Sequence, residues 1–82
     1  MTDESIKTKI EAATFRKMLK HLQDNKDLQN IDLMNLAGFC RNCISKWYTE
    51  SSMEYGEMLS YEKAKEIVYN MPYSEWKEKY QK

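Results

Sequence analysis

The apolar residues of this chain recur at three- and four-residue intervals, and nowhere do they alternate with polar ones for long enough to make a strand. That pattern predicts an all-α protein of four helices separated by recognisable breaks. The first runs from about Ser5 to about Gln23, with Asp3 and Glu4 at its positive N-terminal end. Its apolar positions form two stripes rather than one. At about 100° per residue, Ile6, Ile10 and Ala13 share one side, while Phe15, Met18, Leu19 and Leu22 fall nearly opposite. Either the first turns diverge from the rest, or the helix touches two surfaces, one of which a second subunit could supply.

After the polar break at Asp24-Asn25-Lys26-Asp27, Asn30 offers an N-cap and Asp32 a favourable first-turn charge for a second helix. This long helix should reach about Tyr55, with Gly56 as its stop. Leu33, Leu36, Ala37, Cys40, Cys43, Ile44, Trp47 and Tyr48 occupy roughly 140° of its wheel, and Met34 and Phe39 widen the arc. Such a helix should be central, packed on more than one side. Ser60 caps a third helix from about Tyr61 to Asn70, which Met71-Pro72 ends. Pro72 suits the first position of a short fourth helix, where Tyr73, Trp76 and Tyr80 share a face. The expected architecture is a small bundle of four helices with a long central second helix, and it should dimerise.

Size strengthens the expectation of a dimer. Residues 1–82 fit one domain, with residues 1–4 a flexible N-terminus. A core of this size rarely supplies more than ~3–5 kcal/mol, so small domains recruit disulfides, a metal or a partner subunit. Two cysteines and a polar, acidic start that does not resemble a secretory signal argue against a disulfide framework and for the cytoplasm. Thirteen Lys and Arg balance thirteen Asp and Glu, evenly along the chain, which argues against a nucleic-acid or acidic-membrane partner. The longest apolar run, Leu36 to Cys40, is far too short to span a bilayer.

One spacing has chemical content: Cys40-Arg41-Asn42-Cys43. Both thiols can be small apolar side chains of the second helix, since free cysteine is commonly buried. They can form a redox pair, but such motifs place the first cysteine at a helix N-terminus, and residues three apart inside a regular helix hold their Cβ atoms ~5–6 Å apart. A disulfide wants ~3.5–4.5 Å, so this pairing would be strained unless Gly38 marks a local break. Third, two thiolates supply half of a tetrahedral zinc site, which His21 with a carboxylate, or a second copy of the chain, would complete. Zinc is the one cofactor the spacing admits. His21 lies away from the Phe15–Leu22 stripe, where a partly exposed surface histidine is the simpler reading.

Binding has broader support. Asn35, Arg41, Asn42 and Lys46 lie on the polar side of the helix that looks most enclosed, and buried amides need partners. They either bond across the bundle or line a polar pocket or partner surface. Trp47, with Tyr48, Tyr73, Trp76 and Tyr80, suits an interface edge or the clasp between helices. No glycine-rich phosphate loop is present, and the carboxylates around Lys63 and Lys65 have the spacing of a solvated face.

The run from Gln29 to Cys43, continued by Ser45-Lys46-Trp47-Tyr48, Glu66-Ile67-Val68-Tyr69, Met71-Pro72-Tyr73 and Glu75-Trp76-Lys77, resembles the bacterial domain of unknown function family 1244 from about Ile10 to the C-terminus. The resemblance implies a small, all-helical, dimeric, cytoplasmic bacterial protein, and it brings no activity, substrate or catalytic residue. The resulting expectation is a homodimeric module that binds a protein or small ligand without catalysis. The alternative is a metal or thiol protein using Cys40 and Cys43.

Overall fold

The computed structural model describes residues 4–82. Five helices make up the fold: α1 (Glu4–Asp24), α2 (Asn30–Ala37), α3 (Arg41–Glu54), α4 (Tyr61–Tyr69) and α5 (Tyr73–Tyr80). Among the described residues there is no strand. The flexible N-terminus expected over residues 1–4 lies outside the described residues except for Glu4, which opens α1.

The long second helix is the main correction. It is two helices, α2 and α3, parted at Gly38. This glycine adopts the left-handed conformation (φ 80°) and its N–H closes α2 on the Met34 carbonyl at 3.0 Å. A residue without Cβ takes that conformation at little cost, and the chain then runs extended through Cys40 before α3 begins. The restart resets the helical phase. Leu36, assigned to the apolar face of a continuous helix, is 89% exposed, whereas Cys40 is buried. Asn30 does not cap α2 either; Gln29 takes that place without a side-chain bond, and the Asn30 amide is used elsewhere.

The other punctuation follows local chemistry. Ser60 caps α4 by accepting from the Lys63 N–H at 3.1 Å. Gly56, at φ 79°, follows the end of α3. Asn70 closes α4 at φ 57°, a conformation asparagine tolerates better than most residues. Pro72 sits at the N-cap of α5, one residue earlier than the spacing suggested.

α4 is the hub. Its most extensive pairing is with α3, and it also packs on α1 and α5. Ala64 and Val68 are fully enclosed, and Val68 and Tyr69 join Leu19, Leu22, Ile44 and Trp76 in the core. α1 is one unbroken helix, so its first turns do not diverge from the rest. Its C-terminal half supplies Leu19 and Leu22 to the core; Ile6 and Ile10, on the other stripe, stay about half exposed.

A polar clamp and an apolar groove

Arg41, the first residue of α3, is 1% exposed and has no carboxylate partner among the described residues. Its Nη1 donates to the Leu28 carbonyl (2.6 Å) and Asn30 Oδ1 (2.9 Å), and its Nη2 to the Leu22 (3.3 Å) and Asn25 (2.9 Å) carbonyls. Leu22 and the following turn lie at the negative dipole end of α1, so a buried cation is stabilised there. Burial pushes the Arg41 pKa down, opposed by nearby Tyr69, Cys40 and Asp27. The clamp continues outward. Asn30 Nδ2 donates to the Tyr69 hydroxyl (2.9 Å), which donates to Asn42 Oδ1 (2.5 Å). Arg41 and Asn42 therefore bond across the bundle. Asn35 and Lys46, on different helices, are exposed and do not join them.

The cysteines are reduced, Cys40 buried and Cys43 half-buried. Cys40 is the N-cap of α3 and Cys43 lies in its first turn, with Sγ 3.7 Å from the Met34 sulfur. His21 is elsewhere, exposed beside a shallow polar depression with Asn25, Asp27 and Asp32. Among the described residues no three or more His, Cys, Asp or Glu stand close enough to hold a metal ion, and one chain does not assemble His21, Cys40 and Cys43 into a ligand set. Lys65 departs from the solvated face expected of it. It is 7% exposed, pairs with Glu62 at 2.8 Å, and lies over the rings of Tyr73 and Tyr61 at 4.2 and 4.7 Å.

An open apolar groove of about 730 Å³ is shared by α1, α3 and α4. α1 contributes Phe15 and Met18, and α3 contributes Ile44, Trp47 and Tyr48. Leu59 and Ile67 close the far side, with Glu57 at the rim. Phe15 and Tyr48 face each other at 6.3 Å between ring centroids, and Trp47 leans on Phe39 at 5.7 Å. Of the binding residues expected from sequence, Trp47 alone lines this groove. Phe15, Met18 and Ile67 were missed as a site because their periodicity marks them only as core, and Leu59 because it stands alone in the loop between α3 and α4.

No curated protein matches the sequence. No helix among the described residues is long and apolar enough to cross a membrane. Residues 28–82, from the end of the α1–α2 loop through α5, match the family described as protein of unknown function (DUF1244). With well over half of its length so matched, this chain belongs to that family.

Proposed function

We propose that this protein works by binding rather than catalysis, as a homodimeric interaction module whose contact surface is the apolar groove and its surroundings. The observation that carries this reading is an imbalance. Among the described residues eight apolar side chains are buried, while twelve large ones stay exposed, Met18 and Trp47 on the groove itself among them. Apolar surface of this extent on a small protein supports an interaction site. Two-fold dimers are the commonest closed assembly, and a core this small gains stability from one. Two free thiols accord with the cytoplasm as its setting. Sedimentation equilibrium of the full chain tests the reading. A two-chain mass at micromolar concentration is expected, and a single-chain mass throughout would overturn it.

A second reading uses the cysteines, and the break at Gly38 favours it. The mid-helix spacing that argued against a dithiol pair is gone, because Cys40 caps α3 and Cys43 occupies its first turn. In this reading the two thiols give two electrons and two protons to a disulfide oxidant such as oxidised glutathione, which leaves as two thiols while Cys40 and Cys43 join. Equilibration with a glutathione buffer, alkylation and intact mass test it. Loss of two hydrogens with both cysteines unalkylated supports the pair; two alkylated cysteines at oxidising poise refute it.

A further inference from the structure

The groove and the N-terminal half of α1 are complementary in shape class and in charge, yet they face different ways on one protomer. α1 is 21 residues long, about 30 Å at the usual helical rise. Its buried residues, Leu19 and Leu22, lie in the last two turns, and every residue from Glu4 to Glu11 is exposed. Ile6 and Ile10 stand 51% and 54% exposed, one turn apart, and Ala13 continues the same stripe. Helical spacing sets Lys7 and Lys9 on its two flanks and Lys17 at its end. From Glu4 to Lys17 the segment carries four Lys and Arg against two Glu. It is a short, basic, amphipathic arm.

The α3 side of the groove, with the loop that follows it, has the opposite character. The stretch from Trp47 to Glu62 carries four Glu and no Lys or Arg. Glu57 is on the groove itself, and Glu50 and Glu54 follow Trp47 by three and seven positions, which aligns them along its edge. Glu62 is taken by Lys65, but among the described residues Glu50, Glu54 and Glu57 form no ion pair within the protomer, and neither do Lys7, Lys9 or Lys17. The apolar floor is lined by Phe15, Met18, Trp47 and Tyr48. An apolar trough with an acidic rim suits a basic amphipathic helix.

We infer that the occupant of the groove is the α1 arm of a second copy of this chain. The two protomers exchange arms about a two-fold axis, each seating Ile6 and Ile10 in its partner's groove with the arm's lysines along the acidic rim. Such reciprocity closes the assembly at two chains, as isologous contacts do. The inference rests on the homodimeric reading above and specifies its geometry.

Complementation tests it. An arm variant, Ile6→Glu with Ile10→Glu, changes exposed residues and keeps its helix content by circular dichroism. A groove variant, Trp47→Glu, is made alongside. Each alone is expected to raise the dimer dissociation constant ~100-fold or more, from the lost burial of large apolar side chains. Mixed in equal amounts, the two restore dimer, because one intact arm then meets one intact groove. Lys7→Glu with Lys9→Glu weakens the dimer, and adding Glu54→Lys with Glu57→Lys recovers it. Each of three results overturns the exchange: an arm variant that dimerises like the parent, a mixture that stays monomeric, or charge swaps that do not compensate. In all three the parent dimer leaves the homodimeric reading standing. A parent chain that is itself monomeric removes both.

Discussion

Arg41 stacks on Trp76, with its guanidinium carbon 5.2 Å from the ring centroid, and the two side chains hold the same loop. Arg41 bonds the carbonyls of Leu22, Asn25 and Leu28, while the indole N–H donates to the carbonyl of Lys26 at 2.9 Å. Gln29 adds a bond to the Tyr80 carbonyl at 2.9 Å. The connection between α1 and α2 is thereby held by α3 and α5 as well as by its own turn bonds, such as Leu28 N–H to the Asn25 carbonyl at 3.1 Å.

Arg41→Lys separates fork from charge. A lysine ammonium reaches fewer of the four acceptors and loses the flat contact with Trp76. The substitution should cost ~2–3 kcal/mol, because buried carbonyls are left without donors. Urea unfolding should show a lower midpoint with an unchanged slope.

Tyr69 makes the alkaline side of the stability profile informative. Burial raises its pKa well above the ordinary value of 10.0, outweighing the Asn30 hydrogen bond and the Arg41 charge that pull it down. The unfolded chain therefore loses this proton before the folded one does. Stability owed to the neutral hydroxyl is complete below about pH 10 and declines as pH rises above it. Urea midpoints from pH 8 to 11 should fall more steeply in the parent than in Tyr69→Phe, which is itself ~1–2 kcal/mol less stable at neutral pH for want of the two asparagine bonds.

Gly38→Ala isolates backbone strain. A Cβ there meets nothing within 4 Å, so no clash contributes, but φ of 80° is disfavoured for alanine. The expected loss is ~1–2 kcal/mol, with Gly38→Asn losing less. Thermal denaturation of the three proteins orders them glycine, asparagine, alanine.

The two cysteines should differ under a thiol reagent. Cys43, half-buried, reacts within the native state, whereas Cys40 waits for an opening. Cys40→Ala should destabilise by ~1–2 kcal/mol through a small cavity, and Cys43→Ala by less. Timed alkylation read by mass gives the order of modification.

The helical class and the stops at Gly56, Ser60 and Met71-Pro72 were legible because each rests on local backbone chemistry. The break inside the second helix was not, because Gly38 stands in a run whose apolar positions continue in register on both sides. A lone glycine in such a run only lowers helix propensity; tertiary packing decides whether it bends or stops the helix. The split stripes of α1 were legible too: one of them, Leu19 and Leu22, enters the core, and the other, Ile6 and Ile10, is left exposed. The groove escaped notice because its walls come from three helices far apart in sequence. Arg41 was legible as a polar side chain in need of partners, but the partners were not, because three of its four acceptors are main-chain carbonyls, which every sequence has.

α2 carries no fully buried residue and is held by the half-buried Leu33 against the core, by Gln29 and Asn30 at one end and by the Met34 sulfur beside Cys43 at the other. A segment anchored so sparingly can detach and redock while the α3–α4 pair stays closed. Its amides should exchange with solvent deuterium at an opening free energy well below that of global unfolding, and they should do so as one group. Exchange of that kind would make Gly38, left-handed between the two helices, the pivot of a small flap beside Cys40.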